Sequence, residues 1–94
     1  MSGHTREEAL KQIEEEAEAY RARREAALSD FAANLAKERA MLDEAERAQG
    51  EQLGEEIRQG RATLDRAERE FFEQVEEARR DFDAAVEEAR RSIS

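Results

Sequence analysis

Seven apolar residues fall at intervals of eleven along this chain: Tyr20, Phe31, Leu42, Leu53, Leu64, Val75 and Val86. Eleven residues take up about three turns of an α-helix at ~3.6 residues per turn. Such a seam therefore stays on one side of a helix and runs nearly along its axis. Paired seams of this period pack almost straight or with a slight right-handed supercoil. A seven-residue step describes the chain less well, since from Tyr20 it meets Ala27, Asn34, Met41, Ala48 and then Glu55. Two parallel registers repeat at eleven as well, Phe71 with Phe82 and Ile93, and Ala67 with Ala78 and Ala89. The full predicted interaction seam is Leu10, Ile13, Tyr20, Phe31, Leu35, Leu42, Leu53, Ile57, Leu64, Phe71, Val75, Phe82, Val86 and Ile93. Arg24, Glu38, Glu46 and Gln49 fall on or beside it. Long side chains there can cover the stripe with their stems, or they can set register and partner choice.

Composition narrows the class. Leu, Ile, Val and Phe together number 15 of 94 residues, while 44% are charged. Below roughly 20% large apolar content, a highly charged chain cannot offset the entropy of ordering a compact globule. The choice is then between disorder and a helix that buries one narrow stripe. Eighteen alanines, fourteen arginines and an abundance of glutamate favour the helix, and no proline interrupts it. Residues that favour strands are scarce, with two Val, three Ile, two Thr and one Tyr. The expected fold class is all-α: a long amphipathic helix forming an eleven-residue-repeat coiled coil.

Thr5-Arg6-Glu7-Glu8 reads as a capping box, in which the Thr5 hydroxyl accepts from the Glu8 amide. Residues 1–4 are expected to fray and residues 5–94 to form a single helical domain with a hinge within 48–60. Gly50, Gly54 and Gly60 mark that hinge, because each costs about 1 kcal/mol in a helix interior relative to Ala. The eleven-residue phase passes through this region without a slip, and no Ser, Thr, Asp or Asn stands there to cap a second helix. Both points favour an uninterrupted helix, which would span roughly 130 Å. The alternative is an antiparallel helical hairpin with its turn near 48–54. Opposite charges four apart, such as Asp43 with Arg47, Asp65 with Arg69 and Glu76 with Arg80, suit a solvated helix face in either case.

Little here points to chemistry. His4 is the one histidine and there is no cysteine, so neither a zinc site nor a Cys-His nucleophile is expected. Carboxylates are plentiful, but a catalytic pair needs a desolvated pocket that a narrow seam does not supply. We expect no enzyme activity, no cofactor and no metal. The net charge of −9 is spread evenly over both halves with no basic patch, so nucleic acid is not an expected partner. No apolar run is long enough to span a bilayer, and an acidic polar face suits lipid poorly. Membrane contact is expected only through a partner complex, and a cytoplasmic setting fits the absence of cysteine. Phe71 and Phe72 are adjacent and lie about 100° apart on a helix. Phe71 fits the seam, whereas Phe72 widens the apolar face or forms a separate docking spot.

The seam residues from Tyr20 to Val86, with the opening Glu7-Glu8-Ala9-Leu10-Lys11-Gln12-Ile13-Glu14-Glu15, resemble the small peripheral-stalk subunit of archaeal-type rotary ATPases. That resemblance implies a long helix pairing with a second stalk subunit in a right-handed coiled coil. The aromatic cluster Phe71, Phe72 and Phe82 departs from the expected pattern. The predicted function is a coiled-coil strut or adaptor that associates with itself or with a partner helix. Two alternatives are a helical-hairpin binding module using Phe71 and Phe72, and a stress-protective chain that is disordered until dried or bound.

Overall fold

The computed structural model describes residues 5–93, and the expectations for residues 1–4, His4 among them, lie outside that range. All of the described secondary structure is one helical element, α1, over Arg6–Ile93. Its start is the one the capping box predicts. The Glu8 amide donates to the Thr5 hydroxyl at 3.1 Å, and the Ala9 amide donates to the Thr5 carbonyl at 3.1 Å. Glu7 and Glu8 in the first turn and Arg90 and Arg91 in the last complement the helix dipole.

The element is not straight. Backbone angles leave the helical region at Gln49 (φ −142°, ψ 32°) and at Leu53 (φ −112°, ψ 18°). These angles are open to any L-residue, and no residue in the described chain, glycine included, has positive φ. Residues 6–48 and 54–93 thus form two arms. In an uninterrupted helix Phe31 and Phe71 would stand roughly 60 Å apart at 1.5 Å per residue. Their rings instead stack with centroids 3.8 Å apart. The contacts select the hairpin with its turn in 48–54 over the 130 Å helix. The unbroken eleven-residue phase could not discriminate, because a seam marks which residues are covered and not which helix covers them.

The chain divides into two compact units. The turn unit, Leu28–Gln74, contains the break and both flanking helical segments. Its segments run antiparallel, as shown by Phe31 on Phe71, Arg39 with Asp65, and Arg61 with Asp43. Each step toward the break on one arm is matched by a step back on the other. Leu35, Ile57 and Leu64 are buried here. The terminal unit, Met1–Ala27 with Val75–Ser94, pairs its two segments in the same sense. Tyr20 stacks on Phe82 with centroids 4.0 Å apart, and Arg90 Nε donates to Glu14 at 2.7 Å. Ala17 and Val86 are buried between the segments. No large side chain in the described structure is completely covered. A pair of helices has only one facing stripe each to hide, so every core remains thin.

Candidate protein-interaction surface

Of the predicted seam residues, Leu53 lies in the break and the others lie along the arms. Leu35, Ile57, Leu64 and Val86 are buried, and Leu10, Ile13, Tyr20, Phe31, Leu42, Leu53, Phe71, Val75, Phe82 and Ile93 are half-buried. The two stacked aromatic pairs gain about 0.5–1.5 kcal/mol each beyond the area they cover. Phe72 stands apart from them. It is 48% exposed and meets Phe31 and Phe71 edge-on, with centroids 6.3 and 5.8 Å away. Of the glycines expected to mark a hinge, Gly50 and Gly54 each directly follow a non-helical residue, Gln49 and Leu53. Gly60 sits within the second arm, where Leu42 closes over it. A Cβ built there would come within 3.1 Å of a Leu42 methyl. Close approach, and not a turn, is what Gly60 provides.

Helical spacing puts Ala32, Ala36 and Arg39 on one side of Leu35, and Glu38 and Met41 on the other. The turn unit accordingly has two unlike edges. Along the first, Arg39 bridges to Asp65 at 3.0 Å and Glu68 at 3.2 Å, and Arg61 bridges to Asp43 at 2.9 Å and Glu46 at 3.1 Å. Hydrogen bonds that Arg61 donates to Asp43 and Glu46 raise its pKa above its ordinary value. Phe72 rises beside this edge, over a cleft shared with Phe31, Ala32, Leu35, Ala36, Arg39 and Glu68. Along the second edge a mostly apolar groove is lined by Glu38, Met41, Leu42, Gly60, Thr63 and Leu64. Met41 is 68% exposed there.

These bridges were not legible in the sequence. Four-residue spacing suggested Asp43 with Arg47 and Asp65 with Arg69. Asp43 and Asp65 instead reach across to Arg61 and Arg39, and Arg47 takes Glu44 at 2.6 Å. Only the register between arms could reveal this. Met41 carried a faint signal, one position outside the seam at Leu42. In the terminal unit Arg24 lies over the Tyr20 ring at 5.9 Å, and its Nη1 is buried with no hydrogen-bond partner. Its position on the seam was visible, but the stranded nitrogen was not.

Among the described residues there is no cluster of three or more His, Cys, Asp or Glu that could hold a metal ion, and no helix long and apolar enough to cross a membrane. No family model matches this sequence, and no curated protein or solved structure matches it.

Proposed function

We propose that this chain is a non-enzymatic helical-hairpin interaction module that docks a partner through the surface around Phe72. The observation that carries this reading is the half-exposed Phe72 ring, braced edge-on by Phe31 and Phe71. An aromatic side chain held by neighbours loses little entropy on binding and supplies a large apolar contact, as interface anchors do. The thin core adds to the argument, since covering half-exposed apolar surface with another helix adds stability. Between the arms we assign eleven-residue packing, near-straight or right-handed. Half-buried or buried positions recur at steps of four, four and three over Phe71, Val75, Arg79, Phe82, Val86, Arg90 and Ile93, with Ala89 half-buried beside Arg90. A strut of the rotary-ATPase stalk kind rests on an uninterrupted helix, and the break at Gln49 and Leu53 weighs against it.

A photo-crosslinking amino acid at position 72, tested in extract of the cells that make the protein, examines this directly. The control places it at Arg58, whose side chain is 77% exposed. A discrete product from position 72 that is absent from position 58 is expected. Equal labelling from both positions, or none from position 72, would sink the proposal.

A further inference from the structure

The second edge of the turn unit has a different character from the Phe72 edge. Its groove is lined by the apolar Leu42, Gly60 and Leu64, with Glu38 and the 68% exposed Met41 along its outer side. Glu56 and Glu70 lie seven residues to either side of Thr63, so helical spacing places them on the same stripe. None of Glu38, Glu56 and Glu70 forms an ion pair among the described residues, whereas Asp43, Glu46, Asp65 and Glu68 on the opposite edge are all bridged by arginine.

The charge balance of the unit reinforces the contrast. Leu28–Gln74 holds seven basic and twelve acidic residues. Arg39, Arg47, Arg58 and Arg61 are already engaged by acids of the same unit. Lys37, Arg66 and Arg69 form no ion pair among the described residues, and of these Arg66, three residues from Thr63 and four from Glu70, lies nearest the acidic stripe. The groove is thus an apolar strip whose flanking acids, Glu38, Glu56 and Glu70, outnumber the one neighbouring cation, Arg66. A second copy of this chain, with its net charge of −9, would bring like charge to it. Gly60 lets Leu42 seat closely against the second arm, since a Cβ there would meet the Leu42 methyls at 3.1 and 3.3 Å, so Leu42 and the glycine together form the apolar surface of the groove.

The geometry points to the Glu38–Met41–Gly60 groove as a docking site for a cationic amphipathic helix, whose apolar face seats on Met41 and Leu42 and whose Lys or Arg residues meet Glu38, Glu56 and Glu70. This rests on the reading of the chain as an interaction module but uses a different surface from Phe72. Helix-in-groove recognition takes apolar anchors at helical spacing, and the flanking acids select for basic partners and against acidic ones.

The test titrates an 18-residue Leu/Lys amphipathic helical peptide into the whole chain, followed by fluorescence anisotropy. A Leu/Glu peptide of the same pattern serves as the counter-probe. Saturable one-to-one binding of the Lys peptide alone is expected. The triple variant Glu38→Gln, Glu56→Gln, Glu70→Gln should weaken it by about fivefold or more, and Met41→Asn should do likewise. Glu15→Gln, Glu18→Gln, Glu25→Gln removes the same charge from the terminal unit and should change affinity less than about twofold. Met41 is mostly exposed, so circular dichroism should show unaltered helicity in its variant. Equal weakening by both triple variants, or indifference to Met41→Asn, would mean bulk charge attraction and would overturn the proposal. So would a dimer seen by sedimentation that Met41→Asn dissolves, because a second copy would then be the occupant. Phe72→Gln should leave peptide affinity unchanged. Loss of the position-72 crosslink with peptide binding intact therefore removes only the Phe72 reading, and the converse removes only this one.

Discussion

At Gly60 two effects of known size oppose each other. Replacing glycine by alanine inside a helix gains about 1 kcal/mol in propensity, but the new Cβ would meet a Leu42 methyl at 3.1 Å. Leu42 is only half-buried and borders an open groove, so its methyl can swing aside at modest cost. At Gly54 a Cβ meets nothing within 4 Å. Gly54→Ala should therefore stabilise the chain by about 0.5–1 kcal/mol, and Gly60→Ala by clearly less, as read from paired thermal melts. A larger gain at position 60 than at position 54 would contradict this account of the packing. Arg24 makes a second residue-level case. Its buried, unpartnered Nη1 carries a desolvation cost with no hydrogen bond to offset it. Arg24→Leu should raise the melting temperature by a few degrees, equivalent to about 1 kcal/mol, and a fall would show that the Tyr20 contact outweighs the stranded nitrogen.

Between the elements, the stacked rings join the arms. Phe31→Ala removes a half-buried ring from contact with both Phe71 and Phe72, so a loss of about 2–4 kcal/mol is expected in denaturant unfolding. For so thin a core that is a large share of the total. Phe72→Ala should cost far less, because nearly half of that ring already faces water. The exposed Glu76–Arg79 pair offers a pH test. Hydrogen bonding from Arg79 comes first among the causes that hold the Glu76 carboxyl below its ordinary value of 4.5, with weaker charge contributions from Arg79, Arg80 and Arg24. A depressed folded pKa means that the pair's contribution is fully present above about pH 4.5. It is lost as the pH falls through the lower folded value. The stability difference between the native chain and Arg79→Gln should accordingly be small, present at pH 7, and vanish on acidification. A difference that grew below pH 4.5 would reverse the sign of this linkage.

For the molecule as a whole, the decisive property is that its helical segments pair within one chain. Glu14 and Arg90 are 76 residues apart in sequence yet bonded. With Glu14→Cys and Arg90→Cys, a short bifunctional maleimide should link the two positions inside single chains at a yield independent of protein concentration. Helicity by circular dichroism should be equally insensitive to dilution. Crosslinked dimers as the main product, with helicity rising with concentration, would restore a helix that pairs only between chains.

The capping box at Thr5 and the all-helical class were legible in the sequence, because local hydrogen bonding and helix propensity act over a few residues. Alanine, glutamate and arginine content, with no proline, determined that the chain is helical, and eleven-residue spacing marked Phe31 and Phe71 as apolar positions of two neighbouring registers. That Phe31 meets Phe71, that Arg39 meets Asp65, and that Gly60 lies under Leu42 depended on where the backbone turns back. Only the tertiary structure decided this. Gly50 and Gly54 marked where the helix could break, next to Gln49 and Leu53, but not whether it would, because the same periodic stripe is satisfied whether it is covered by another chain or by its own other half.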